Sequence, residues 1–213
     1  MKLAIFDLDG TLYDSMGVWM GTAYDFMENR GFSVPDELRD RLVSISSVEA
    51  ACIFCKAFPD IGMSPEDLVA AWRDTIKLRY ADSIDFKPGA REYLEQLKRA
   101  GIPICVATLT PRDYFTPAFR RTGLDELADF SINAAEAGRD KHFPDIYLRC
   151  AERFGLIPAD CRVYEDSPLA ARTAKDAGFE VWGVRDSLPD PIEADLRATA
   201  HRFVADWREL LDR

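Results

Sequence analysis

Asp7 and Asp9 stand two residues apart at the end of the apolar run Leu3-Ala4-Ile5-Phe6, and Gly10 and Thr11 follow at once. A short continuous apolar run closed by a glycine reads as a strand of a parallel sheet, and ligands of open α/β sheets bind beyond the carboxyl ends of such strands. In extended backbone, residues two apart point to one side, so both carboxylates can face one ligand while Leu8 packs away from it. Paired carboxylates of this kind suit a divalent cation and a phosphate. A calcium loop of the EF-hand type does not fit, because its glycine belongs at the sixth position and Gly10 arrives at the fourth. Taken alone, the stretch could equally be a turn, since Asp and Gly are turn formers.

Other chemistry-bearing residues recur at comparable places. Thr108-Leu109-Thr110 follows the apolar segment from Ile102 to Ala107, Glu165-Asp166-Ser167 follows Cys161 to Tyr164, and Lys141 lies just ahead of Pro144-Asp145. Each has an ordinary alternative: Thr108, Thr110 and Ser167 could cap helices, and Lys141 could be a solvated charge. Jointly they would fall on the same sheet edge as Asp7 and Asp9, which is where a site is built.

The elements that must position these groups can be read from periodicity. Residues 14 to 82 are helical in pattern: Met16, Trp19, Met20, Ala23 and Met27 recur at helical spacing, and Pro35 can open a second helix carrying Leu38 and Leu42. A third helix starts near Ser47, and Ser64-Pro65-Glu66-Asp67 has the signature of a capped fourth. From Asp85 the texture alternates. Apolar strands at Ile102 to Ala107, Phe130 to Ile132, Cys161 to Tyr164 and Phe179 to Val184 are separated by amphipathic helices. This predicts an α/β fold, a parallel sheet with helices on both faces, interrupted after its first strand by an all-helical insertion. The expected division is residues 1–13 and 84–213 for the sheet domain and 14–83 for the insertion, a module placed where it could act as a lid.

Composition narrows the function classes. The chain has 213 residues, 47% of them apolar, enough for a sizeable core. A net charge of −10 disfavours a nucleic-acid partner, whose recognition rests on clustered Lys and Arg, but leaves phosphorylated small molecules open, because a metal can supply local positive charge. The apolar stretch before Asp7 is too short for a signal-peptide core and no run approaches a membrane span, so a cytoplasmic protein without a membrane partner is expected. Five scattered cysteines suggest reduced thiols, and the Cys52/Cys55 pair, with no second such pair, reads as helix core.

The residues assembled so far resemble the haloacid dehalogenase superfamily, in particular its β-phosphoglucomutase and phosphoglycolate-phosphatase branch, which has a Rossmann-like αβα core and a helical cap after the first strand. Four motifs carry the resemblance: Asp7-Leu8-Asp9-Gly10-Thr11; Thr108 after the second core strand; Lys141 ahead of Pro144-Asp145, with His142 where relatives often have Pro; and the acidic pair Glu165-Asp166. It implies a phosphomonoesterase acting on a small phosphorylated metabolite. Asp7 would be the nucleophile that forms an aspartyl-phosphate, Asp9 the general acid and base, Thr108 a donor to phosphoryl oxygens, and Lys141 fixed positive charge. Mg2+ would be bound by Asp7, the Asp9 carbonyl and Asp166, with Glu165 beside them.

Two alternatives remain beside this expectation: a sugar phosphomutase on the same core, and a phosphate-binding module without catalysis. The mutase branch carries a His where this chain has Trp19 and an Arg in a cap loop where Ser44-Ile45-Ser46-Ser47 has none. A carbon-halogen hydrolase is disfavoured, since that branch lacks the second aspartate. Trp19, Thr110 and Arg112 are the expected substrate contacts, with Arg73, Lys77 and Arg79 further candidates on the last cap helix. His142 could reach the pocket, whereas His201 is expected to be structural. A cap that moves fits a monomer.

Overall fold

The computed structural model describes residues 1–35, 38, 47–186 and 189–212. Among them, six strands form one parallel sheet in the order β3-β2-β1-β4-β5-β6. They are β1 (Leu3–Phe6), β2 (Ile104–Thr108), β3 (Phe130–Asn133), β4 (Cys161–Glu165), β5 (Glu180–Val184) and β6 (Arg202–Val204). β1 is central, with β2 on one side and β4 on the other, so the chain's direction of winding reverses next to it. A crevice opens at such a reversal, at the carboxyl ends of the strands.

Both faces of β1 are buried, which explains its unbroken apolar sequence. Leu3 and Ile5 join Cys105, Ala107, Val163 and Val181 on one face, whereas Ala4 and Phe6 join Val106, Tyr164 and Trp207 on the other. Phe6 stacks on Tyr164 with ring centroids 4.4 Å apart, fixing β1 against β4 where both deliver their acidic residues. On the first face lie helices α8 (Asp145–Arg153) and α9 (Pro168–Asp176), contributing Ile146, Tyr147, Cys150 and Ala171. On the second lie α4 (Ala90–Arg99) and α5 (Arg112–Thr122), contributing Tyr93, Leu94, Phe115 and Phe119.

Two strands begin later than their apolar runs suggest. Ile102 and Phe179 donate backwards to the carbonyls of Leu97 and Ala174, so each closes the preceding helix before the strand begins. Helix α10 (Asp190–Thr199) and the short β6 complete the sheet's far edge and carry no comparable sequence pattern.

Between β1 and α4 lie α1 (Met16–Glu28), α2 (Ser47–Ala57) and α3 (Pro65–Asp82). They share an apolar cluster of their own, built on Met27, Leu38, Ala51, Phe54, Leu68 and Trp72. Cys52 and Cys55 are free thiols on α2, as its helical pattern suggests. α3 opens as its cap signature requires, with Ser64 Oγ accepting from the Asp67 N–H at 3.1 Å and Pro65 in the first position. The expected helix from Pro35 through Leu42 and the Ser44-Ile45-Ser46 stretch lie outside the described residues, apart from Pro35 itself and Leu38. The two connections to the sheet run side by side: Asp14 N–H donates to the Asp85 carbonyl, Lys87 N–H donates to that of Leu12, and Tyr13 bridges Phe86.

Short helices α6 (Leu124–Leu127) and α7 (Ala134–Ala137) flank β3. No helix among the described residues is long and apolar enough to cross a membrane.

Candidate active site

Two strand ends converge on one acidic floor. The Asp7 N–H still donates to the Tyr164 carbonyl at 2.9 Å, so its side chain leaves β1 in register with Glu165 and Asp166 leaving β4. One carboxylate oxygen from each of Asp7, Glu165 and Asp166 falls within 4.8 Å of the others, and all three residues are buried. Lys141, itself only 4% exposed, donates to Asp7 Oδ1 and to Glu165 Oε1, the latter at 2.5 Å. Tyr147 on α8 donates to the same Glu165 oxygen at 2.6 Å, and Thr11 donates to Asp166 Oδ1 at 3.2 Å.

One lysine cannot neutralise this floor. Burial, then the charges of Glu165 and Asp9, push Asp7 up to about 7 in spite of Lys141. Burial, with Asp7, Glu165 and Asp186 facing it, holds Asp166 well above the usual carboxylate range. For Lys141, burial pulls the ammonium down, but Asp7 and Glu165 override it and raise it. Asp7 Oδ2 is buried with no hydrogen-bond partner. Buried polar atoms are nearly always satisfied, so an orphaned carboxylate oxygen between two further carboxylates is a place for a cation. Carboxylate oxygens are the ligands that a hard divalent ion takes.

Asp9 has a different environment. Ser15 donates to its Oδ1 at 2.7 Å, and Tyr80 on α3 donates to the same atom. Thr110 donates to Oδ2 at 2.6 Å, with Thr108 at 3.4 Å. Trp19 on α1 donates in turn to the Tyr80 hydroxyl at 2.9 Å. Thus Asp9 touches no cation among the described residues and is oriented by four hydroxyl groups from three separate segments. Gly10 makes the turn just after Asp9 at φ +80°, and a Cβ there would sit 2.5 Å from Asp166 Oδ2, so only glycine lets the loop approach the floor. Lys87 holds the loop from behind, donating to the Gly10 carbonyl and, at 2.7 Å, to Asp186.

Comparison with known proteins decides the family. The family model for haloacid dehalogenase-like hydrolases matches residues 1–178. The chain belongs to that family. A phosphorylated carbohydrates phosphatase of Thermotoga maritima is 30% identical over 191 residues, covering 89% of this chain and 88% of its own. The validoxylamine A 7'-phosphate phosphatase of Streptomyces hygroscopicus subsp. limoneus is 31% identical over 212 residues, covering 98% and 95%. A crystal structure from Thermotoga maritima with the working name β-phosphoglucomutase superposes with a TM-score of 0.86 at 29% identity, covering 99% of this chain and all of that one.

Measured against the residues expected from a haloacid dehalogenase-like sequence, the structure gathers Asp7, Asp9, Trp19, Thr110, Lys141, Glu165 and Asp166 around one cavity of about 460 Å³. Thr108 lies at the end of β2 just beneath it, accepting from the Thr110 N–H at 3.0 Å. His142 lines the mouth beside Asp140, 3.1 Å away. Arg112 is not brought in: its guanidinium turns to Glu136 at 2.5 and 2.8 Å and to the Ser131 carbonyl, away from the acidic floor. Nor are Lys77, which pairs with Asp113 at 2.6 Å, or Arg79, which lines a separate hollow with Asp25 and Arg30. His201 accepts from the Val181 N–H at 2.9 Å and is structural, as expected.

Sequence reasoning missed Ser15, Tyr80, Lys87 and Tyr147. Tyr147 had a usable signal, since it lies one helical turn after Pro144 on the helix that follows Lys141. Tyr80 had none in the local pattern.

Proposed function

We propose that this haloacid dehalogenase-family phosphatase hydrolyses monoesters of small phosphorylated metabolites through an aspartyl-phosphate on Asp7, with Mg2+ held by Asp7, the Asp9 carbonyl, Asp166 and Glu165. The observation that carries the reading is the contrast between the two aspartates: Asp7 is a buried carboxylate with one oxygen on Lys141 and one unpartnered, while Asp9 is held by hydroxyls only. Nucleophile and proton carrier need those different environments. Mg2+, when bound, supplies the positive charge that lets a carboxylate approach a phosphate dianion.

The residues then divide the work. Asp7 attacks phosphorus and the ester P–O bond breaks, while Asp9 gives its proton to the departing alkoxide. Asp9, now a carboxylate, takes a proton from water as that water attacks the aspartyl-phosphate, releasing inorganic phosphate and restoring Asp7. Lys141 neutralises Asp7 and the incoming phosphoryl oxygens, and Thr108, beside Asp9 at the end of β2, donates to the phosphoryl group. Residues 14–83 would serve as the cap over a core made of 1–13 and 84–213, with Tyr80 and Trp19 its points of contact with the acid and base.

Among the alternatives, the phosphomutase shares its name with a similar structure but is disfavoured by the cavity, because Lys141 is the sole Lys or Arg lining the acidic cavity among the described residues and a second phosphate would need another. A silent binding module does not account for a carboxylate oriented as Asp9 is. The test is phosphate release from a panel of monoesters, with magnesium and with chelator, for the parent and for Asp7→Asn. Release by the parent alone, abolished by chelator, supports the reading. Release by Asp7→Asn at a comparable rate refutes the covalent route.

A further inference from the structure

Lys87 lies on the second connection of the helical insertion, where its own N–H donates to the Leu12 carbonyl at 2.8 Å. Its ammonium turns inward. An ammonium carries three hydrogens, and all three find acceptors on two other segments: the Gly10 carbonyl, the Arg185 carbonyl at 2.7 Å and Asp186 Oδ1 at 2.7 Å. The side chains of Lys87 and Asp186 are only 12% and 4% exposed. Lysines on a protein surface keep their charged head in water, so the burial of this one needs an account that solubility does not give.

What Lys87 holds is the loop under the acidic floor. Gly10 has φ +80° and no side chain, so nothing in its own chemistry fixes the peptides on either side of it. The peptide before it is held by the Gly10 N–H, which donates to the Tyr13 carbonyl at 3.0 Å. Because a peptide is planar, that bond also sets the direction of the Asp9 carbonyl. The peptide after it is held by Lys87 on the Gly10 carbonyl, and the next residue, Thr11, donates to Asp166 Oδ1 at 3.2 Å. Asp186 in turn faces Asp166 and helps to push its carboxyl up.

We infer that Lys87 is a positioning residue for the cation: its bond to the Gly10 carbonyl sets how tightly magnesium binds at the acidic floor. The inference rests on the phosphatase reading and its metal site, and deepens it. None of the three bonds of Lys87 goes to a carboxylate of the floor or to the Asp9 side chain, which four hydroxyls hold independently. Loss of Lys87 therefore loosens the backbone that carries the Asp9 carbonyl and Thr11, and leaves the proton carrier in place. The same lysine brings a positive charge toward the cation's surroundings, which Asp186 cancels. Charge and position thus make opposite predictions, and the two can be separated.

The experiment reads magnesium affinity from thermal melts across a magnesium titration without substrate, since a ligand that binds only the folded state stabilises it as the site fills. Asp186→Asn leaves Lys87 an acceptor. The double variant Lys87→Met, Asp186→Asn removes both partners, which avoids an unpaired buried charge. Position predicts that the double variant binds magnesium about tenfold or more weakly than Asp186→Asn, the scale on which support of a metal ligand counts. Charge alone predicts the reverse order, because Asp186→Asn leaves Lys87 uncompensated and the double variant restores the parent's net charge. In steady-state kinetics the magnesium midpoint of the double variant should rise by the same factor, while kcat at saturating magnesium falls less. Should that variant fail to fold, Lys87→Arg, which keeps the charge on a planar fork ill-suited to three convergent acceptors, carries the same prediction against the parent. Equal affinities, or tighter binding by the double variant, would overturn the inference and leave the metal site standing. A parent whose melting ignores magnesium would remove the metal site, and the inference with it.

Discussion

Tyr80 donates its phenolic hydrogen to Asp9 across 71 positions of sequence, and this bond ties helix α3 directly to the carboxylate assigned the proton transfers. The ring is fully buried, edge-on to Trp19 with centroids 6.2 Å apart, so it has little freedom to release Asp9 by itself. Burial, then the Asp9 charge, raise the Tyr80 hydroxyl, which keeps it a donor throughout the working pH range.

Tyr80→Phe keeps the packing and removes this bond together with the one the hydroxyl accepts from Trp19. A hydrogen bond to a charged group contributes roughly 1.5–3 kcal/mol, and about 1.4 kcal/mol corresponds to tenfold in rate. Steady-state kinetics should therefore show kcat down about tenfold or more, with KM changed much less, because Tyr80 acts through Asp9 and not on the ester. An increase in KM alone would place Tyr80 in substrate binding instead.

Lys141→Met leaves Asp7 and Glu165 buried without their shared cation. Breaking a buried pair by removing one partner costs roughly 3–5 kcal/mol, and the side chains here are 5%, 8% and 1% exposed, so solvent screening gives little relief. Denaturant unfolding in chelator should show a loss of that order, and magnesium should recover part of it by supplying charge to the same oxygens. Turnover should vanish. A variant as stable as the parent in chelator would mean that Lys141 does not neutralise the floor.

The acidic floor was legible in the sequence because each of its carboxylates sits at the end of an apolar strand, and a parallel sheet brings such ends to one edge whatever the intervening chain does. Asp7, Glu165 and Asp166 follow from that rule alone, whereas Lys141 was marked by its place in the loop ahead of Pro144-Asp145. Arg112 shows its limit: the rule places a residue at the edge but not the direction of a long side chain, and Glu136 captures this one. Tyr80 was illegible for the opposite reason, since its place beside Asp9 depends on how α3 returns to the sheet, a tertiary fact without a local pattern. The starts of β2 and β5 were misread because Ile102 and Phe179 are apolar yet spend their N–H groups on closing a helix.

Gly10→Ala tests how closely the loop must approach Asp166. A φ of +80° disfavours any side chain, and the new Cβ would meet Asp166 Oδ2 at 2.5 Å and Cγ at 2.9 Å. Asp166 must move, and displacing a ligand's support typically weakens metal affinity by about 10–100-fold. Titration of activity with magnesium should show the midpoint shifted by about tenfold or more. An unchanged midpoint would remove Asp166 from the metal site.

Stability against pH gives the last check, and its sign follows from the raised carboxyls. Asp7 goes from an ordinary 3.8 to about 7, and Asp166 also rises, both through burial first and neighbouring carboxylates second. Between those values the folded protein in chelator holds protons that the unfolded chain has released. Stability therefore falls as pH rises, since its slope follows the excess of protons bound by the unfolded state, which is negative here. This contribution is fully present below the unfolded value and is lost as pH passes through about 7. Magnesium replaces those protons and should flatten the profile, so its stabilising effect must grow from acid to neutral pH. Thermal melts with and without chelator would show this as a widening gap. Parallel profiles, or a gap that narrows toward neutral pH, would rule out a cation bound to Asp7 and Asp166.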